Sequence, residues 1–189
     1  MAIDIGANRG DFTQSLISRG FKVVAFEPNP IPFNIMKNQF RKESPIILHN
    51  VACGSKIDSL PLYIPCYKEY KIEGLASFHK GQVLDVLKKI RELKPFFFYD
   101  EKYVHCQSIK VKLVRLDDNK IKPDFIKIDT EGHESEVIKG SLATIQSSKP
   151  VIYLENPNEA TLTLLIQLGY QISFQGKNNQ ILIPNSSLD

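Results

Sequence analysis

Met1-Ala2-Ile3-Asp4-Ile5-Gly6-Ala7-Asn8-Arg9-Gly10 opens the chain, and its reading decides the fold. A short apolar run ends at the carboxylate of Asp4. A turn follows with Gly6, Asn8 and Gly10 at alternate positions, and residues 11–19 read as a helix. Strand, small-residue turn and helix, in that order, make the opening of a nucleotide-binding α/β unit. Small residues there let the backbone turn sharply and approach a ligand closely.

Downstream the patterns alternate. Residues 22–27 (KVVAFE) form a β-branched run ending in a carboxylate, the second strand. Pro28-Asn29-Pro30 breaks it, and residues 31–41 read as helix with Pro32 in the tolerant first turn. Residues 46–51 are the third strand, 125–128 the fourth and 151–154 the fifth. Helices are expected over 134–145 and 159–168, and a closing hairpin over 170–174 and 180–183. Strands alternating with helices imply a Rossmann-like, mostly parallel sheet with helices on both faces and right-handed crossovers. The hairpin adds an antiparallel strand.

Residues 55–123 exceed what one crossover helix needs. Within them 60–64 and 108–116 alternate apolar with polar residues like paired strands, 83–93 is helical in pattern, and Phe96-Phe97-Phe98-Tyr99 is a dense aromatic run. A long insertion on a rigid α/β scaffold reads as a substrate-recognition element. The whole chain, 1–189, is expected to be one domain.

Composition narrows the class. The 189 residues are 42% hydrophobic and 24% charged, ordinary for a globular chain. A net charge of +3 argues neither for nucleic acid nor for a membrane surface. Three cysteines without CxxC spacing suggest reduced thiols. No signal peptide precedes Asp4 and no apolar run is long enough to span a bilayer, so a cytoplasmic protein is expected.

The turn selects the cofactor. A dinucleotide fingerprint needs G-x-G-x-x-G, whereas here the spacing is G-x-N-x-G followed by Asp11, which repels a pyrophosphate. Asp4 suits a cofactor with a cationic amino-acid part. S-adenosyl-L-methionine carries an ammonium, a sulfonium and no phosphate, so carboxylates in its site are favourable. Glu27, ending the second strand, is placed to accept from both ribose hydroxyls. Asn29 then lines the adenine side. Asn50 and Ala52, at the end of the third strand, face the same crevice.

The densest polar cluster is Lys127-Ile128-Asp129-Thr130-Glu131-Gly132-His133-Glu134. Asp129 is expected at the crevice between cofactor and acceptor. His133 is expected to take a proton from a substrate hydroxyl, with Asp129 or Glu131 orienting it. Lys127 reads as pointing to the other face of its strand. Asp129 and Glu155-Asn156 are oxygen-rich, but hydrogen-bonding carboxylates without a metal are the expected arrangement.

Together Asp4-Ile5-Gly6-Ala7-Asn8-Arg9-Gly10, Phe26-Glu27-Pro28-Asn29-Pro30, Asn50-Val51-Ala52, the run from Asp124 to Glu134 and Leu154-Glu155 resemble the FkbM-type methyltransferases. The resemblance implies a class I fold with sheet order 3-2-1-4-5-7-6. It implies an O-methyltransferase acting on a hydroxyl of a sugar, polyketide or similar metabolite. It also implies that Asp4, Gly6, Asn8 and Glu27 hold the cofactor while Asp129, Glu131 and His133 face a small-molecule or glycan acceptor. The alternatives are a non-catalytic S-adenosylmethionine-binding module and an RNA methyltransferase. No nucleic-acid partner is expected, because the lysines are dispersed.

Overall fold

The computed structural model describes residues 1–42, 46–93 and 101–185. Its centre is two short strands buried from end to end, β1 (Ala2–Ile5) and β2 (Val23–Phe26). Strands buried along their whole length, here interrupted by one polar residue, Asp4 of β1, belong to parallel sheets covered on both faces. β3 (Ile46–His49) pairs with β2 in parallel. β4 (Ala52–Cys53), β5 (Asp58–Tyr67), β6 (Tyr70–Lys71) and β7 (Val104–Val114) form a second sheet of order β4-β7-β5-β6. The first sheet resumes with β8 (Phe125–Ile128), β9 (Val151–Glu155), β10 (Tyr170–Gln175) and β11 (Asn179–Pro184), giving β10-β11-β9-β8-β1-β2-β3. Counted within that sheet alone, the order is the expected 3-2-1-4-5-7-6. Among the described strands of this sheet, β11 is the one that runs opposite to the rest, antiparallel to both β10 and β9.

Helices α1 (Asp11–Ser18), α2 (Pro30–Gln39), α3 (Lys80–Leu93), α4 (Glu134–Lys139), α5 (Leu142–Ser148) and α6 (Glu159–Gln167) complete the chain. Asn29 starts α2, its side-chain oxygen accepting the Ile31 N–H at 3.2 Å. The main core joins Ile3, Ile5 and Phe26 to Ile126, Ile128, Ile152 and Leu154. A second cluster, with Ala2, Leu16, Met36 and Phe40, packs α1 and α2 on the sheet.

Three expectations need correction. The third strand does not run to residue 51. It ends at His49, and Ala52–Cys53 leaves to pair with Leu113 and Val114 of the second sheet. The proposed pair in the insertion is real but longer, with β5 and β7 antiparallel from Asp58↔Leu113 to Tyr67↔Val104. Its alternating Leu60, Leu62, Ile109, Val111 and Leu113 pack with Ala52, Ala76 and Phe78.

The helix expected over 134–145 is two helices. A Cβ on Gly140 would lie 1.9 Å from the Gly54 carbonyl oxygen, so the chain is pressed against the insertion there. Asp117 then starts α5 by accepting the N–H groups of Ala143 and Thr144 at 3.1 and 2.8 Å. The aromatic run 96–99 lies outside the described residues. Among the described residues, no helix is long and apolar enough to cross a membrane.

Candidate functional site

The strand ends of β1, β2, β4 and β8 open on one crevice, as expected at the carboxyl edge of such a sheet. Its inner part, about 60 Å³, lies among Gly6, Glu27, Ala52, Leu62, Phe78 and Glu131. Its outer part, about 460 Å³, lies among the charged residues Arg9, Asp11, Lys127, Asp129 and Glu155, with the Phe12 ring. Gly6, Asn8, Glu73, Gly74 and Asp129 line both, so the two are continuous.

Glu27 organises the inner part. It is 7% exposed, and its two oxygens accept the backbone N–H groups of Asn8 (2.8 Å) and Asn29 (2.7 Å). Burial pushes its carboxyl up to about 7. The Asn29 and Asn8 N–H groups and the Lys127 charge pull the other way. Asn50 fixes the same corner from behind, donating from its side chain to the Glu27 and Pro28 carbonyls at 2.8 and 3.2 Å.

The glycine turn spends its donors internally. Gly6 and Ala7 N–H both reach the Phe26 carbonyl (2.9 and 3.1 Å), and Gly10 N–H reaches Ala7 (2.9 Å). With Asn8 N–H on Glu27, four of the turn's backbone donors are committed. A phosphate-gripping nest needs such donors free. Gly6 is obligatory for a steric reason: a Cβ there would sit 1.7 Å from the Asp129 carbonyl oxygen, at φ +78°.

At the end of β8 the chain makes a strained corner. Glu131 has φ +52° and Gly132 +96°. Glu134, 1% exposed, holds this corner by accepting from Thr130 N–H, Thr130 hydroxyl and Gly132 N–H at 3.0, 3.0 and 3.1 Å. Ser77 of the insertion donates its hydroxyl to the Glu131 carbonyl at 2.7 Å. The Glu131 side chain is thereby presented to the inner crevice. Burial first, then Asp129, Glu134 and Glu155, push its carboxyl up to about 7. Burial and the neighbouring Asp129 also raise Glu155.

The insertion supplies a wall that sequence reasoning did not assign. A short helical turn, Glu73–Leu75, crosses the crevice mouth. Glu73 pairs with Arg9 at 2.9 Å, and a Cβ on Gly74 would stand 3.5 Å from the Asn8 side chain.

The anticipated residues therefore divide. Gly6, Asn8, Glu27, Ala52, Asp129 and Glu131 line the crevice. Asp4, Gly10, Asn29, Asn50 and His133 are not among its lining residues. Asp4 is fully buried, accepts the Thr13 hydroxyl at 2.6 Å and pairs with Lys127 at 3.3 Å. Gly10 serves helix packing: a Cβ there would meet Phe40 at 2.6 Å and Met36 at 2.9 Å. His133 lies behind the crevice wall, its ring 4.7 Å from that of Phe78 and its Nε2 buried without a hydrogen-bond partner. Burial lowers its pKa. Lys127, expected on the far face, instead reaches into the outer crevice. The register that sets Lys127 beside Asp4 is what turns it there. Among the described residues, no group of three or more His, Cys, Asp or Glu side chains is placed to hold a metal ion.

A family model described as the methyltransferase FkbM domain matches residues 4–179. The chain belongs to the FkbM methyltransferase domain family. This chain is similar in fold to the FkbM methyltransferase of Methylobacillus flagellatus KT, with a TM-score of 0.62 at 20% identity. That alignment covers 96% of this chain and 42% of the other, so the chain spans less than half of that relative. A candidate tRNA (m1A22) methyltransferase of Streptococcus pneumoniae aligns with a TM-score of 0.50 at 13% identity, over 100% of this chain and 66% of that one. No curated protein matches this chain by sequence.

Proposed function

We propose that this FkbM domain transfers a methyl group from S-adenosyl-L-methionine to a hydroxyl oxygen of a sugar, polyketide or related small metabolite. The observation that carries the reading is Glu27. Each of its oxygens accepts one backbone N–H, and a carboxylate oxygen has capacity for a second donor, here a ribose hydroxyl. The residues present fit such a cofactor and not a dinucleotide. The inner crevice offers apolar wall from Ala52, Leu62 and Phe78 for an adenine ring. The glycine turn has no free run of N–H groups for a pyrophosphate.

When bound, the cofactor supplies a methyl group on a cationic sulfur. The chain's own work is to hold and to align, which contributes more than acid–base help. Gly6, Asn8 and Asp129 line both parts of the crevice and would hold the cofactor's amino-acid end, Asp129 offering a carboxylate. Glu131, and not His133, is the base. It lines the crevice where His133 does not. Its carboxylate would take the proton that the acceptor hydroxyl loses on methylation, the pair of the broken S–CH3 bond staying on sulfur, and would later release that proton to water. A base whose pKa lies near the working pH suits this task.

The acceptor enters through the outer crevice past Asp11, Glu73, Asp129 and Glu155, against Arg9 and Lys127, both of them ion-paired, and its hydroxyl reaches Glu131 where the two parts join at Asp129. That balance favours a neutral polyol and repels the phosphates of RNA. Methyl-labelled cofactor offered with a panel of saccharides, polyketide alcohols and tRNA tests the assignment. Label is expected as a methyl ether on a hydroxyl substrate. Label confined to RNA would overturn it.

A further inference from the structure

Lys127 sits where the two central strands meet the crevice. β8 places it beside Asp4 of β1 on one side and Tyr153 of β9 on the other. Its side chain is 5% exposed. Its ammonium donates to the Gly6 carbonyl at 2.8 Å and lies 3.3 Å from both Asp4 Oδ1 and Asp129 Oδ2. The Phe12 ring stands 5.7 Å away. A buried ion is costly, and neutralising Asp4 alone would require only one of these contacts. The contact to Asp129 reaches a residue that lines the crevice.

We propose that Lys127 is a positioning residue for methyl transfer: it clamps the Gly6 carbonyl to the Asp129 carboxylate and so presents Asp129, as an oriented anion, to the cofactor's cationic end. The proposal rests on the cofactor reading given above. Burial works to discharge Lys127, but Asp4 and Asp129 outweigh it and hold its pKa above the ordinary value. The same charge works against the upward shifts of Glu27, Glu131 and Glu155, which face it from β2, the β8 corner and β9.

Binding of S-adenosylhomocysteine across the neutral pH range, followed by calorimetry, is the test. The variants are Lys127→Met, Asp4→Asn/Lys127→Met and Asp129→Asn. The double variant removes both members of the buried pair, so it is expected to unfold near the wild-type temperature even where Lys127→Met does not fold. Its affinity is expected to fall roughly tenfold or more, the scale of a lost charge-assisted contact. Its acid limb is expected to move to higher pH, because Glu27, which holds the ribose, loses a cation that keeps its pKa down. Asp129→Asn keeps the Asp4–Lys127 pair and is expected to lose affinity by a similar factor. Wild-type affinity and pH profile in the double variant, or wild-type affinity in Asp129→Asn, overturns the proposal and leaves Lys127 as a counter-ion for Asp4. Wild-type protein that does not bind the ligand at all refutes the cofactor reading instead.

Discussion

Asn8 donates its backbone N–H to the Glu27 carboxylate across 2.8 Å, tying the glycine turn after β1 to the end of β2. The same carboxylate accepts the Asn29 N–H at 2.7 Å, so it ties the glycine turn to the start of α2 as well. Asn8 holds a left-handed φ of +52°, which asparagine tolerates better than other non-glycine residues.

Gly6→Ala tests the close approach of the first turn to the last residue before the strained corner. The added methyl meets backbone, at 1.7 Å from the Asp129 carbonyl, and backbone cannot rotate away. A loss of roughly 3 kcal/mol or more is expected in chemical denaturation. Gly10→Ala meets the buried side chains of Phe40 and Met36 and not backbone, so a smaller loss, about 1–3 kcal/mol, is expected from its positive φ and the forced repacking.

Glu131→Gln and His133→Ala separate the two candidates for the base. Glu131→Gln should lower kcat by about 10²–10⁴ while leaving cofactor affinity nearly unchanged. His133→Ala should cost stability, on the order of 1–3 kcal/mol, through lost packing against Phe78. The pH dependence of its turnover should match wild type. A His133 variant that loses the pH dependence returns the role to the histidine.

The raised Glu131 carboxyl gives the pH dependence a sign. Only its ionised form accepts a proton, so turnover should rise with pH through about 7 and then level off. Glu27 gives stability the opposite slope. Its folded pKa of about 7 lies above its ordinary 4.5, so the folded state retains a proton that the unfolded chain has released. Stability of the ligand-free protein should therefore decline as pH rises from about 4.5 to 7, by up to about 3 kcal/mol from this group. Urea titrations across that range read the slope directly.

Glu134→Ala removes the acceptor of three donors at the Thr130–Gly132 corner. A loss of about 1–3 kcal/mol is expected. Turnover should fall further than stability accounts for, because Glu131 loses its support. Equal activity at a temperature where the variant is fully folded would show that the corner holds itself.

The fold was legible where burial is uniform. The apolar runs of β1, β2 and β8, each closed by a carboxylate or a turn, announce parallel strands, and the seven-strand order follows the expectation. What failed was decided at a distance. The split between α4 and α5 depends on Gly54 and Asp117, neither adjacent to it in sequence. β4 is two residues long and has no pattern of its own.

In the site, Glu27, Asp129 and Glu131 could be read because their strand or turn positions aim them at the crevice. Asp4 could not. A strand-end carboxylate reads the same whether it faces a ligand or a lysine on the next strand, and only the register Asp4↔Lys127 distinguishes the two. The Glu73–Leu75 wall was equally hidden, since nothing near it in sequence says that the insertion folds back over Asn8.

The most direct measurement is calorimetric titration of the purified chain with S-adenosylhomocysteine and, separately, with NADH, for wild type and Glu27→Ala. The account predicts that wild type binds the first and not the second. It also predicts that Glu27→Ala weakens binding by roughly tenfold or more, as the ribose loses a charged acceptor. Binding of NADH without S-adenosylhomocysteine, or unchanged affinity in Glu27→Ala, would contradict it.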